Sequence, residues 1–102
     1  MYNIITTDLA KDTLRNIVIY ISANLANKQA ASDFLDEVNF RYNNLASTPF
    51  MYSLCKNLRL KRLGYRRVII KNDIMVYPIS EETETVFSLG LFYGGSLYEK
   101  IL

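Results

Sequence analysis

The hydrophobic period of this chain changes once along its length, and that change limits the fold more than any other feature. Before residue 50 the apolar side chains repeat at helical spacing; after residue 58 they alternate. Leu14, Ile17, Val18, Ile21 and Leu25 form one apolar stripe on a helix expected over about 8–25. Thr6 or Thr7 can cap it, and Asp8 suits the positive end of its dipole. Ile19 and Tyr20 lie off the stripe, either widening the core face or forming a surface for a partner or a second copy. Ala31, Phe34, Leu35, Val38, Tyr42 and Leu45 mark a second helix over about 28–47, capped near Asn27 and stopped before Pro49. The short connection between the two predicts an antiparallel hairpin.

The second half reads as strands. Leu58-Arg59-Leu60-Lys61 alternates apolar with basic, which as a strand places both leucines on one face. Tyr65–Lys71 and Ile74–Ile79 are β-rich runs joined at Asn72-Asp73, a pair suited to a tight turn. Pro78 cannot donate to a ladder and implies an edge or a bulge. Thr85, Phe87, Leu89 and Leu91 alternate with Val86, Ser88, Gly90 and Phe92 as the last long strand. Ser96 is a candidate cap for a final helical turn through Leu102. Tyr2–Thr6 supplies a first strand, and Phe50–Leu54 a weak strand or extended loop. The order β-α-α-β-β-β predicts one α+β domain over residues 1–102, with an N-terminal helical hairpin packed on a mostly antiparallel sheet.

Charge is as unevenly distributed as periodicity. Lys56, Arg59, Lys61, Arg62, Arg66, Arg67 and Lys71 fall in a stretch with no acid, although the net charge is only +2. Such a block is either a solvated face or a surface for phosphates or an acidic peptide. Strand alternation sends Arg66 and Arg67 to opposite faces, so only one of them belongs to any single site. Histidine is absent and Cys55 is the sole cysteine. The chain therefore carries no Ser-His-Asp or Cys-His apparatus, no internal disulfide and no cysteine-based zinc site. No metal site or cofactor is expected, and no nucleotide-binding glycine motif is present. Phe92, Tyr93 and Tyr98 are candidates either for base stacking or for finishing the core. No apolar run reaches the roughly 18–20 residues of a membrane span. The start, Met1-Tyr2-Asn3-Ile4-Ile5, lacks a signal-peptide pattern, so the expected compartment is the cytoplasm.

Several of these stretches, in order, carry a family resemblance. They are Leu63-Gly64-Tyr65-Arg66-Arg67-Val68-Ile69-Ile70, Asn72-Asp73-Ile74-Met75-Val76-Tyr77, Phe92-Tyr93-Gly94 and Tyr98-Glu99-Lys100-Ile101-Leu102, behind the two predicted helices. Together they resemble the RelE/ParE superfamily of type II toxin–antitoxin toxins. The resemblance covers essentially the whole chain and implies a RelE/ParE-like fold. It also implies a bacterial growth-inhibiting toxin, of the kind associated with plasmid stabilisation, silenced by a cognate antitoxin. ParE-like members poison DNA gyrase without cutting nucleic acid, whereas RelE-like members cut mRNA in the ribosomal A site. The hairpin and the Gly64-Tyr65-Arg66 context are closer to the ParE-like branch. The family's Tyr-Gly-Arg-Arg-Asp-Tyr pattern is replaced by Tyr93-Gly94-Gly95-Ser96-Leu97-Tyr98, which lacks both arginines and the acid. Arg66, Tyr93 and Tyr98 are then the remaining catalytic candidates, and the expected activity is target binding rather than catalysis. The alternatives are a ribosome-dependent endonuclease and an attenuated toxin fold. Expected partners are an antitoxin, gyrase or ribosome-bound mRNA, in a homodimer or a toxin–antitoxin hetero-oligomer.

Overall fold

A computed structural model describes residues 1–94 and 98–102. Strand β1 (Asn3–Thr6) leads into helix α1 (Asp8–Ile19). Thr7 starts the helix from extended backbone, and its hydroxyl accepts the Ala10 N–H at 3.2 Å. α1 runs on into a π-helical turn, Tyr20–Asn24, closed by the Leu25 N–H on the Tyr20 carbonyl at 3.2 Å. The wider turn shifts the phase of the apolar stripe. Ile21 stays half-buried, while Leu25, expected to end the stripe, is exposed. Ala26 reverses the chain at φ +48°, and the Asn27 side chain caps helix α2 (Lys28–Ser47) by accepting the Ala30 N–H at 2.9 Å. Ala31, Phe34, Val38 and Leu45 are buried on α2; Leu35, expected on that stripe, is exposed.

Six strands follow from β1 and the second half: β2 (Arg66–Ile70), β3 (Asp73–Tyr77), β4 (Ile79–Ser80), β5 (Thr85–Ser88) and β6 (Gly90–Tyr93). They pair in the orders β1-β5-β4 and β2-β3-β6. The Phe87 N–H on the Pro78 carbonyl (3.1 Å) and the Leu89 N–H on the Val76 carbonyl (2.9 Å) link the two three-stranded sheets. β3 and β4 are one strand interrupted at Pro78, where a ladder donor is missing, as the sequence predicts. β1 runs parallel to β5, and every other pairing is antiparallel. The mostly antiparallel sheet with a helical hairpin on one face is the expected α+β architecture.

The last strand departs from simple alternation. Val86 and Leu91 are an odd number of positions apart yet enter the same core. The irregularity at Leu89 swaps the faces there. Side chains from α1 satisfy the interrupted backbone: the Thr7 hydroxyl lies 3.0 and 3.1 Å from the Ser88 and Leu89 carbonyls, and the Leu91 N–H donates to the Thr13 hydroxyl at 3.0 Å.

Two expectations are corrected. Leu58–Arg62 is a short helix, α3, and not a strand. The Asn57 side chain caps it by accepting the Leu60 N–H at 3.1 Å. Leu60 is fully buried while Leu58 is 65 % exposed, so the two leucines do not share a face. The hairpin turn lies one residue earlier than expected. Ile70 and Asp73 close the ladder, leaving Lys71 and Asn72 as the loop, with Lys71 at φ +56°. Asp73 is consequently a strand residue.

The sheet β2-β3-β6 is covered on both faces. On one, Phe34, Val38 and Leu45 of α2 pack against Val68, Ile70, Met75, Tyr77, Val86 and Leu91, with Leu14 and Ile17 of α1 alongside. On the other, Cys55, Leu60 of α3 and Tyr98 of a short final helix, α4 (Tyr98–Ile101), pack against Val76 and Phe92. Each fully buried large apolar side chain contributes about 1.5–3 kcal/mol.

Candidate functional site: a divided basic surface

The basic block does not form one patch. Arg59 is turned to internal use: its guanidinium donates to the Glu99 carbonyl and, at 3.0 Å, to the Leu102 carbonyl. It thereby fills acceptors that the end of α4 leaves open and straps that helix to α3. Arg66 donates to the Tyr52 carbonyl at 2.6 Å and lies 5.1 Å from the centre of the Phe50 ring. It pins the 50–52 loop under the hairpin face. Arg67 projects from the opposite face, as strand alternation requires, where its charge acts on Cys55 and Tyr98. Lys71 sits at the hairpin tip, about 16 Å along β2 from Arg66 at the usual strand rise. Lys56, Lys61 and Arg62 are exposed beside and on α3, and their side chains make no hydrogen bond or ion pair among the described residues. With Lys71, which stands apart at the tip, they are the part of the block open to an anionic partner.

The catalytic candidates are also dispersed. Tyr98 is 4 % exposed and stacks obliquely on Phe92, with ring centres 5.8 Å apart. Burial pushes its hydroxyl pKa up, and the nearby Arg67 guanidinium offsets part of that rise. Phe92 and Tyr98 therefore finish a core. Tyr93 is exposed at the far end of β6. Arg66 pairs in register with Tyr77, and Tyr93 with Asp73, so these two sit at opposite ends of β3, about 13 Å apart by strand rise. Gly95, Ser96 and Leu97, which bear on the family pattern and on the expected cap, lie outside the described residues.

Other groups with chemical potential are buried structurally. Cys55 is enclosed, and burial raises its thiol pKa. Tyr77 donates its hydroxyl to the Pro49 carbonyl at 3.1 Å, with its pKa pushed well up by burial. Among the described residues no cluster of three His, Cys, Asp or Glu side chains could hold a metal ion, and no helix is long and apolar enough to cross a membrane.

Sequence reasoning passed over two features. Arg41 of α2 pairs with Glu37 at 2.9 Å and donates to the Tyr52 hydroxyl at 3.0 Å. It walls a groove of about 330 Å³ along the outer edge of β2, shared with Tyr52, Ser53 and Arg67. The i, i+4 spacing of Glu37 and Arg41 was the available signal; their reach to Tyr52 was not. The second feature is a cleft of about 520 Å³ between the π turn and the end of the β2-β3 hairpin, with Asp73 in its wall.

Comparison with known proteins fits this architecture. The family described as the ParE toxin of the type II toxin–antitoxin system parDE matches residues 4–94. Among solved structures, the chain is similar to one in the RelBE2 toxin–antitoxin complex of Mycobacterium tuberculosis. The two are 16 % identical, with a TM-score of 0.63 over 90 % of this chain and 96 % of that one. No curated protein matches. The family match spans nearly the whole domain, from β1 to the end of β6, and the shared fold agrees with it: this chain belongs to the ParE toxin family of type II toxin–antitoxin systems.

Proposed function

We propose that this toxin acts by binding its target, DNA gyrase, and not by cutting RNA. The observation that carries the reading is the dispersal of Arg66, Tyr93 and Tyr98. In-line attack by a ribose hydroxyl needs a base, an acid and a cation around one phosphate. Here Arg66 is spent on the Tyr52 carbonyl, Tyr98 is buried on the opposite face, and Tyr93 stands at the other end of the sheet. Arginine and lysine are poor bases near neutral pH, and burial makes the Tyr98 hydroxyl a poorer one. What the surface does offer is binding: the exposed cations Lys56, Lys61 and Arg62 around α3.

The same rim suits the antitoxin. An acidic antitoxin segment laid across α3 gains charge complementarity there, and the outer edge of β2 offers strand addition beyond the point where Ser53 covers it. Reversing Lys61 and Arg62 to Glu is expected to slow antitoxin association and flatten its salt dependence. Arg59 is unsuitable for that test because it also holds α4.

Inducing the chain alone in a bacterial host tests the target. Growth arrest with DNA-damage signalling, together with inhibited supercoiling by purified gyrase, is the expected result. Arrest with A-site mRNA cuts and intact gyrase activity would overturn it in favour of an endonuclease. Absence of arrest would leave an attenuated toxin fold that retains only its antitoxin.

A further inference from the structure

The cleft beside the π turn contains a feature found nowhere else among the described residues. Asp73 is 5 % exposed, and its Oδ1 is the only buried side-chain oxygen or nitrogen there without a hydrogen-bond partner. Such an atom costs stability unless something satisfies it. Strand parity places the Asp73 side chain on the hairpin face with Met75 and Tyr77. It therefore points toward α1 and into the cleft, whose walls are Ile17, Tyr20, Ile21, Leu25 and Tyr93 with the amides Asn16 and Asn72. The three aliphatic side chains have no donor to offer it, and neither the two amides nor the two tyrosine hydroxyls bond its Oδ1. Burial raises the Asp73 carboxyl pKa, the mark of a group lacking its counter-charge.

The surroundings match one chemical group. Tyr20 and Leu25 are more than half exposed at the mouth, at 53 % and 57 %. The π turn that carries Tyr20 is an irregularity of the kind that often marks functional sites. Tyr93 lies directly across the ladder from Asp73 and on the same face. A carboxylate set deep between aromatic and aliphatic walls complements a guanidinium. The planar cation forks onto the carboxylate, its faces lie against tyrosine rings, and its methylene stem packs on the aliphatic side chains. An ammonium, more strongly hydrated and with no planar face, gains less from the same walls. We propose that this cleft receives an arginine side chain from a partner polypeptide, with the Asp73 carboxylate pairing the guanidinium and Tyr20 and Tyr93 flanking it. The inference rests on the antitoxin reading only for the source of that arginine; the chemistry of the cleft stands on its own geometry.

The test uses the full chain and a small probe, so its outcome is independent of which protein supplies the arginine. N-acetyl-arginine N-methylamide and its neutral citrulline analogue are titrated while backbone amide shifts are followed by NMR. The arginine probe is expected to shift Asn72, Asp73 and Tyr93 saturably and to bind at least tenfold more tightly than the citrulline probe, about 1.4 kcal/mol. Asp73→Asn should remove that difference. Because a change at a buried site can disturb folding, the exposed Tyr20→Ala provides the second variant and should weaken the arginine probe severalfold with an unchanged amide spectrum elsewhere. Equal binding of the two probes overturns the proposal, as do shifts centred on α3 or no saturable shift up to about 50 mM, a concentration that detects even millimolar affinity.

Discussion

The two faces of the β2-β3-β6 sheet are built in different ways. The hairpin face is covered by two long helices whose apolar residues recur with helical period, and its core is made of large side chains that interlock across that face. The opposite face is covered by α3 and α4, helices of five and four residues that cannot sustain themselves. They persist because single side chains tie them down: Asn57 caps α3, Arg59 holds the last carbonyls of α4, and Tyr98 fills the gap over Phe92. One face is stabilised by area, the other by a few directed bonds. The exposed cations around α3 belong to the second face, so the proposed binding rim rests on the less redundant half of the structure.

That contrast can be broken in order of effect. Truncating the hairpin core with Phe34→Ala should cost about 3–5 kcal/mol in urea unfolding. A loss below about 1 kcal/mol would mean that α2 does not pack as described. On the other face, Arg59→Ala should cost only about 1–2 kcal/mol, since its bonds are solvent-exposed. Its effect should be local: amide exchange should accelerate at residues 98–102 and not in β3. Uniform acceleration across both faces would erase the distinction.

Asp73→Asn should move stability the other way at neutral pH. Burial raises the folded-state carboxyl pKa above its unfolded value. The stability linked to Asp73 is therefore fully present below the ordinary carboxylate pKa of about 3.9 and is lost as pH rises through the folded value. The variant's advantage should be larger at pH 7 than at pH 3, measured by thermal unfolding at both. An advantage that grows on acidification would show that Asp73 is stabilised as an anion. The smallest change is expected at the hairpin tip: Lys71→Gly relieves a left-handed conformation and should add about 1 kcal/mol, with β2 and β3 unchanged in register.

The same contrast explains what the sequence disclosed. Long periodic stretches showed both helices, and Thr7 and Asn27 are caps because their side chains act on the backbone a few residues away. Arg66 and Arg67 went to opposite faces because β2 is regular there. Leu58–Lys61 was misread because an apolar-basic alternation over four residues fits either element; the Asn57 cap and the burial of Leu60 alone decide for helix. The turn slipped by one residue because Asn72-Asp73 is good turn chemistry, whereas the ladder takes Asp73 into the sheet and leaves Lys71 to adopt positive φ. Counting seven cations as one surface overlooked the carbonyls that Arg59 and Arg66 serve, which lie far from them in sequence. The cleft was invisible for the same reason, since Tyr20, Asp73 and Tyr93 meet only once the sheet is formed.

The most direct test of the account is primer extension on mRNA bound to programmed ribosomes, with and without the purified chain. The dispersal of Arg66, Tyr93 and Tyr98 predicts that the message remains intact. Cuts at the A site that disappear with Arg66→Ala or Tyr98→Phe, in variants that still fold, would contradict it and make this chain a nuclease.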